Sequence, residues 1–567
     1  MSMSRPERNW SALDAVAHEW RDTRLELFPE EHVWLGVPGR EGEFSDFSPD
    51  GHQQVADTTR EYVRRVREID PVDEVDSITR AELIRTLELG LDEFEAKLFQ
   101  RNLNVIASPV QEIREIFDLV PTETPQDWEY IALRLRAVPK ALSGYMRSLR
   151  VGIEARNVPA LRQVTEVIRQ AETHSRHDGF FFTLSEKAQN VSGLTATASR
   201  ELAQGAQRAA EAYEGLATFL RDELAPVASP VDALGRDLYE LASRGFLGTR
   251  IDLDETYEWG IAELDRMVRE QEQIARTLVP GGSVMDAIAF LDADPRRKLH
   301  GVTALQTWMQ ETSDRAVEEL SREHFEIPGE LRRLECLIAP TNEGGIYYTS
   351  PSDDFSRPGR MWWSIPSGVT EFNTWRELTT VYHEGVPGHH LQIGQAVVNK
   401  AQLNSWRRTN GTSGHAEGWA LYAERLMDEL GFLDDPADRL GMLDGQRMRA
   451  ARVVVDIGVH LQKTLPDGSR AWTGDDALAF MREHVHMNDE FIRFEVNRYL
   501  GWPGQAPSYK VGQRIWEELR AECARSEGEA FSLRDFHKRA LAVGGVGLDT
   551  LRMALAPGTA HNNLRAS

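Results

Sequence analysis

Residues 383–390 hold a cluster of side chains that can bind a metal ion. His383, His389 and His390 stand here together with Glu384. In zinc peptidases a helical His-Glu pair supplies a metal ligand, the histidine, and a general base, the glutamate. The second histidine usually follows four residues after the first, but Pro387 occupies that position. The cluster therefore predicts a metal site only if the chain bends between its histidines.

Helix geometry limits which histidine can be the second ligand. Zn–N bonds of about 2.0–2.1 Å require two imidazoles to converge closely. Four residues of helix rise about 6 Å, which two side chains can bridge, but seven rise about 10.5 Å, so His390 on a straight helix is too far from His383. Pro387 and Gly388 can loop the chain out and bring a later histidine back. We expect His389 to be that ligand, because Gly-His ends shorter versions of this motif in several helical zinc peptidases; His390 is the alternative.

The residues before this cluster predict a helix start and a small sheet. Residues 374–377 have the T-x-x-E form of a capping box, which indicates a helix beginning near Thr374. Short apolar segments bounded by turn residues come earlier, at 336–340, 345–349 and 360–365, and predict a small antiparallel sheet. A strand beside a metal site can hold an extended peptide by main-chain hydrogen bonds, so we expect Tyr348 to contact a substrate.

A second helix is predicted to return to the cluster. Its apolar stripe runs from Ala416 to Leu430, and Gly431 is the expected stop. Glu417 and Glu424 are seven residues apart and share a face of this helix. In one large branch of zinc peptidases a glutamate from a following helix is the third ligand. We expect Glu417 to take that role and Glu424 to support the ligands.

A third helix, predicted at 447–465, is apolar almost all round and should be buried. Arg449, Arg452, Asp456 and His460 nevertheless form one stripe along it, and buried charges need partners or a polar cavity. We expect the stripe to face the site, with His460 contacting the substrate or an oxyanion. The alternative is an Arg–Asp–His ladder that satisfies its own hydrogen bonds.

Three further donors lie in and beside a Gly/Pro-rich turn near the C-terminal end: Arg498, Tyr509 and Lys510. Phenol, guanidinium and ammonium groups can donate to a developing oxyanion or to a substrate carboxylate. We expect Tyr509 to act on the oxyanion and Arg498 or Lys510 to hold a terminal carboxylate.

Composition limits the classes of function. Hydrophobic residues make up 41% and charged residues 27% of the 567 residues, as in ordinary globular proteins. The net charge of −25 argues against nonspecific nucleic-acid binding and against an anionic membrane surface. Cys336 and Cys523 make no disulfide framework, residues 1–6 lack an apolar signal core, and no run of about 18 apolar residues occurs. We expect a cytoplasmic protein.

Helical periodicity dominates the N-terminal half and predicts a mostly α fold. The predicted helices lie at 12–28, 53–69, 77–101, 126–150, 158–173, 196–224, 230–245, 252–277, 283–292 and 297–323. We expect one large helical domain over 1–567, in which 1–330 form a mainly helical half and 331–560 carry the metal site.

Four motifs together resemble a large, mainly bacterial family catalogued as domain of unknown function 885. They are HExxPGHHLQ at 383–392, EGWALYxE at 417–424, RxxxDxGxH at 452–460 and RYxxxPGQAxSYKxG at 498–512. The resemblance implies a zincin-like helical body, similar to the helical carboxypeptidases and the angiotensin-converting-enzyme-type peptidases. A deep central channel in such a body admits short or unstructured peptides.

The leading hypothesis from the sequence is a zinc-dependent peptidase that acts on short peptides, as a monomer or homodimer. His383, His389 and Glu417 would bind Zn²⁺, and Glu384 would be the general base. Tyr509 and His460 would stabilise the oxyanion. One alternative is a metal-dependent amide hydrolase acting on a non-peptide metabolite, and another is a peptide-binding protein without catalysis.

Overall fold

The computed structural model of the protein describes residues 8–340 and 345–556. Helices dominate the part that precedes the predicted site, and a short strand, β1 (Lys298–His300), lies among them. The helices of this part are α1 (Ala12–Leu27), α2 (Glu30–Trp34), α3 (Pro49–Arg67), α4 (Glu74–Glu95), α5 (Pro109–Leu119), α6 (Pro125–Ala155), α7 (Leu161–Ser175), α8 (Phe180–Lys187), α9 (Ala196–Phe219), α10 (Arg236–Leu247), α11 (Leu253–Leu278), α12 (Val284–Ala293) and α13 (Val302–Glu323).

The mostly α fold class predicted from the sequence is confirmed, and the predicted helices of this half are present with shifted ends. The helix predicted at 230–245 begins only at Arg236, after Gly235 at a positive φ of 89°. The one predicted at 297–323 begins at Val302, because residues 298–300 pair as a strand instead. α2, α5 and α8 were not predicted, because helices of 5, 11 and 8 residues are too short to show a clear helical period.

Two small sheets precede the candidate site. The strands are β2 (Leu334–Ile338), β3 (Ile346–Thr349), β4 (Gly359–Trp363) and β5 (Glu371–Asn373). β1 pairs with β5 antiparallel, and a three-stranded sheet has the order β2-β4-β3. Its β3–β4 pair is antiparallel, as predicted, whereas β2 runs parallel to β4. β3 is thus an edge strand of this sheet.

Helices also make up the remainder of the chain, and they carry every predicted site residue except Tyr348, which lies on β3. They are α14 (Thr374–Glu384), α15 (His389–Val398), α16 (Ser405–Thr409), α17 (Ser413–Glu429), α18 (Pro436–His460), α19 (Gly474–His484), α20 (Asp489–Gly501), α21 (Ser508–Glu527), α22 (Leu533–Ala542) and α23 (Leu548–Leu555).

Separate apolar clusters hold these elements together. One lies among α5–α9, and a larger one joins α10–α13 to the C-terminal helices. A smaller cluster packs the three-stranded sheet against Val381 of α14, which fixes the helix that carries His383. The single-domain organisation stays a prediction, and residues 1–7 and 557–567 of its range lie outside the described chain. Within residues 8–340 and 345–556, no helix has the length and apolar composition needed to cross a bilayer.

The helix predicted at 447–465 is α18, which begins eleven residues earlier and ends at His460. The prediction that it is buried is confirmed, since residues 450–460 are all buried. Close packing against α11 contributes to this burial: a Cβ at Gly260 of α11 would lie 2.9 Å from the Val453 side chain. The segment 450–460 therefore presents its polar side chains to the interior, where each needs a partner.

Candidate metal centre

The chain bends between the two histidine helices, as the sequence predicts. α14 ends at Glu384 and α15 begins at His389, so residues 385–388 leave the helical path. Gly388 permits this bend, because a Cβ there would lie 1.9 Å from the carbonyl oxygen of His383. Trp419 of α17 fastens the loop by donating from Nε1 to the carbonyl oxygen of Pro387 at 2.8 Å.

The predicted capping box at the start of α14 is not formed. The helix begins at Thr374 as expected, but the N-cap is Asn373, and its side chain accepts no capping hydrogen bond. Thr374 instead donates from its hydroxyl to the carbonyl oxygen of Arg297 at 3.2 Å. The helix start is therefore held by tertiary contacts rather than by its own side chains.

Three predicted ligands come together at the end of α14. His383, His389 and Glu417 each offer one ligand atom, and these atoms lie within 4.8 Å of one another. Glu417 Oε2 is 3.3 Å from His383 Nε2 and 3.6 Å from His389 Nε2. The two imidazole rings stand at 89° with centroids 4.9 Å apart, so their edges point into the same space. A metal ion can bind at this group.

The hydrogen bonding of His383 leaves a place for a cation. Glu424 Oε1 lies 2.7 Å from His383 Nδ1, so Nδ1 carries the proton and donates it to the carboxylate. The lone pair of Nε2 then faces Glu417 Oε2, which itself has no hydrogen-bond partner among the described residues. Two acceptors this close repel each other unless a positive charge lies between them.

The pKa shifts of His383 and Glu417 also indicate that the site favours positive charge. Burial lowers the pKa of His383, but the neighbouring carboxylates of Glu417 and Glu424 outweigh that effect and raise it to about 10. Burial acts to raise the pKa of Glu417, yet His389 and His383 bring it well below its usual range. A divalent cation would satisfy these groups as a proton does, and two nitrogens with one carboxylate oxygen suit zinc.

A chain of buried side chains supports His383 from behind. Glu424 accepts from Gln446 Nε2 of α18 at 3.1 Å. Gln446 Oε1 in turn accepts from the ammonium of Lys510 at 2.9 Å. Lys510 also bonds Gln513 at 2.9 Å and pairs with Glu263 of α11 at 3.0 Å. The orientation of one metal ligand thus depends on α11, α17, α18 and α21 together.

The substrate-carboxylate role predicted for Lys510 does not fit these contacts, whereas Arg498 keeps donors of its own. Protein acceptors use all three donors of Lys510, which is 2% exposed. Arg498 donates to both carboxylate oxygens of Glu495 and to Gln505. Lys510 has no donor left over for a substrate, so we correct its role to a structural one. Arg498 uses three of its five N–H donors, and its contact with a substrate carboxylate stays a prediction.

His390 and Tyr348 engage each other rather than the ligand group. His390 is fully buried; its Nε2 donates to the carbonyl oxygen of Leu331 at 2.9 Å, and its Nδ1 lies 3.0 Å from the Tyr348 hydroxyl. Both ring nitrogens are therefore occupied, and the structure brings His389 to the group instead. The phenol of Tyr348 positions α15 against β3, and its contact with a substrate stays a prediction.

His460 lies away from the ligand group. Gln446, on the same helix, contacts Glu424, and His460 follows 14 residues later, which corresponds to about 21 Å of helix rise. Its Nε2 lies 3.0 Å from the carbonyl oxygen of Tyr499, and its ring stacks on Tyr239. The oxyanion role of His460 stays a prediction. The Arg–Asp–His ladder is not formed, because Arg452 pairs with Glu495, and His460 Nδ1 and Asp456 Oδ1 have no hydrogen-bond partner among the described residues.

Tyr509 is held beside Glu417 by close helix packing. A Cβ at Gly418 would lie 2.4 Å from the backbone of Gly512, so α17 and α21 approach as closely as glycines permit. Glu417 is the largest charge acting on the Tyr509 phenol, whose pKa burial raises to about 12. The hydroxyl keeps its proton at neutral pH and can donate it in a hydrogen bond, as an oxyanion-stabilising group must.

Glu384 lies next to the group without belonging to it. It is 6% exposed, its Oε2 has no hydrogen-bond partner among the described residues, and burial raises the pKa of its carboxyl. A carboxylate that is close to a metal group, unpaired and more basic than usual suits a proton acceptor.

Sequence reasoning missed Gln446, although one amide within an apolar helix was a visible signal.

A family model described as "bacterial protein of unknown function (DUF885)" matches residues 29–555. The chain belongs to this family. No protein of curated function matches the chain.

Solved structures show that the fold is shared with other proteins. A candidate lipoprotein of Colwellia psychrerythraea has a TM-score of 0.83 at 20% identity, covering 96% of this chain and 98% of that one. A candidate lipoprotein of unknown function from Shewanella oneidensis has a TM-score of 0.73 at 16% identity, over 96% and 99%. A Pyrococcus furiosus carboxypeptidase overlaps 89% of this chain and 95% of its own at 11% identity, but its TM-score of 0.35 is too low to indicate a common fold.

Proposed function

We propose that this DUF885 protein is a zinc-dependent hydrolase of peptide bonds in short peptides. The observation that best supports this proposal is that two hydrogen-bond acceptors, His383 Nε2 and Glu417 Oε2, face each other 3.3 Å apart beside His389. Buried acceptors are not left facing each other without a cation between them. Glu384, which follows a ligand directly, supplies the base that a purely structural metal site would not need.

Each residue of the site has its own role in the proposed hydrolysis. His383, His389 and Glu417 would hold the ion, which supplies Lewis acidity toward a carbonyl oxygen and toward water when bound. Glu384 takes a proton from the attacking water as the C–O bond forms, and it passes this proton to the leaving amine when the C–N bond then breaks. Tyr509 donates its phenolic hydrogen bond to the oxygen that gains negative charge.

The peptide is proposed to bind along β3. This strand is an edge of its sheet, and Tyr348 ties it to α15, which carries His389. An extended peptide can add to such an edge by main-chain hydrogen bonds, which do not depend on its side chains. The central channel implied by the family resemblance and the cytoplasmic location belong to this proposal as predictions.

Metal analysis and a peptide-library digest test the proposal together. The protein purified without chelator should contain one zinc ion per chain, and mass spectrometry should detect cleavage of several short peptides that differ in side chains. Cleavage of a single non-peptide amide would favour the alternative metabolite hydrolase. Peptide binding without cleavage by the metal-loaded protein would show that the proposal is wrong and favour a binding protein.

A further inference from the structure

Arg449 lies between two side chains that contact the candidate metal centre. Gln446, one turn earlier on α18, donates to Glu424. Arg452, one turn later, has its guanidinium carbon 5.2 Å from the ring centre of Tyr509. Residues three apart are neighbours on a helix surface, so Arg449 faces the space between Glu424 and Tyr509. Its charge lowers the pKa of both groups and that of Glu384, which agrees with this position.

The guanidinium of Arg449 has donors to spare. Its Nη1 donates to the carbonyl oxygen of Gly445 at 3.1 Å, and its buried Nε has no partner within the described chain. Over residues 8–340 and 345–556 it forms no ion pair within 4.0 Å. Arg452 and Arg498 differ, since both are paired with Glu495. A half-buried arginine without a carboxylate partner is costly unless a ligand supplies one.

The charges around the site call for one more anion. Carboxylates and guanidinium groups share this interior: Glu384, Glu417, Glu424 and Glu495 against Arg449, Arg452 and Arg498. The four negative and three positive charges leave one negative charge, and a divalent cation would turn that into one positive charge. A substrate with a single carboxylate would balance it.

We propose that Arg449 binds the free C-terminal carboxylate of the substrate. This inference rests on the proposed function and names its substrate class: short peptides whose scissile bond lies close to a free carboxyl end. A guanidinium presents parallel N–H donors that match a carboxylate. The close approach of Gly418 and Gly512 holds Tyr509 near Glu417, so Tyr509 lies nearer the reacting carbonyl, and Arg449 is left for the end of the leaving group.

A substrate pair tests this assignment directly. Metal-loaded full-length protein is given one peptide from the library digest as the free acid and as the C-terminal amide. A hydrogen bond to a charged group contributes about 1.5–3 kcal/mol, so kcat/KM should favour the acid by about 10- to 100-fold. Arg449→Met should remove that preference, mainly through a higher KM for the acid.

Two further variants keep the test decisive. Arg439→Met removes an arginine from the same helix that pairs with Glu270 and Asp428, and it should keep the preference. Arg449→Lys retains the positive charge but lacks the paired N–H donors of a guanidinium, so it should give an intermediate ratio of kcat/KM for acid over amide. This variant also tests the assignment if the methionine variant folds poorly. Equal cleavage of acid and amide by wild type, or an undiminished preference in Arg449→Met, would overturn the inference while peptidase activity stands.

Binding measurements distinguish a failure of this inference from a failure of the proposed function. In Glu384→Gln, calorimetry should give a dissociation constant for the acid that is lower than that for the amide, and adding Arg449→Met should equalise the two. If no peptide is cleaved by the wild type, the proposed function is wrong, and this pair of constants still decides the role of Arg449. Equal dissociation constants for the acid and the amide in Glu384→Gln alone would refute the role of Arg449.

Discussion

Glu384→Gln separates catalysis from metal binding. The carboxylate is 6% exposed, and its Oε2 makes no hydrogen bond within the described chain. It is not one of the three ligand atoms that lie within 4.8 Å of one another. An amide of the same size therefore leaves the ligand set intact. Because burial raises the pKa of Glu384, the uncharged amide also avoids a desolvation cost, and the melting temperature should not fall.

The catalytic loss can be estimated from the role of a general base. Such groups contribute about 10²- to 10⁴-fold, which corresponds to about 3–5 kcal/mol of activation free energy. We expect kcat on the best peptide to fall by that factor, since the amide cannot accept the proton of the attacking water. KM and zinc content should stay close to wild type. Peptide cleavage followed by mass spectrometry, elemental analysis of the metal and circular dichroism melting measure the three quantities.

Glu377→Gln is a matched control. Glu377 lies two turns earlier on the same face of α14, and burial raises its pKa to about 7, but it is not part of the ligand group. This variant should keep its activity. An active Glu384→Gln protein, or one that loses its zinc, would refute the assigned role. Equal losses in the two variants would show that any buried charge on α14 matters, rather than a base at the site.

Three other predictions test the ligands, their support and a buried carboxyl outside the site. His389→Ala should lose the metal, whereas His390→Ala should retain it, because only the first reaches the ligand group; metal content measured after dialysis decides. Lys510→Met should weaken zinc binding about tenfold in a chelator competition by freeing Gln446, while Gln513→Leu, which leaves Lys510 bonded to Gln446, should not. Burial raises the pKa of Glu112 to about 7, so the protein loses stability as pH rises from about 4.5 through 7 and this buried carboxyl ionises. Glu112→Gln should therefore raise the melting temperature at pH 8 but not at pH 4. Equal shifts at the two pH values would contradict this.

The sequence predicted the chemistry of the site because that chemistry depends on local rules. Pro387 lacks an amide hydrogen, so the helix that carries His383 had to break before a second histidine could return. The apolar stripe around Glu417 predicted a helix with that carboxylate on its face. Residue type and helical period, together with the motifs of known zinc peptidases, therefore predicted the three residues that the structure brings together.

The partners of the cations were decided only by the tertiary structure. The N–H donors of Lys510 are used by residues of α11, α18 and α21, and Glu263 lies 247 residues earlier in the chain. Helical periodicity tells which residues share a face, but it does not tell how far along its axis one helix meets another. His460 shares a stripe with Arg449 yet lies at the far end of α18, whereas Arg449 lies beside the metal group. Packing sets that axial offset, because it depends on contacts between side chains far apart in sequence.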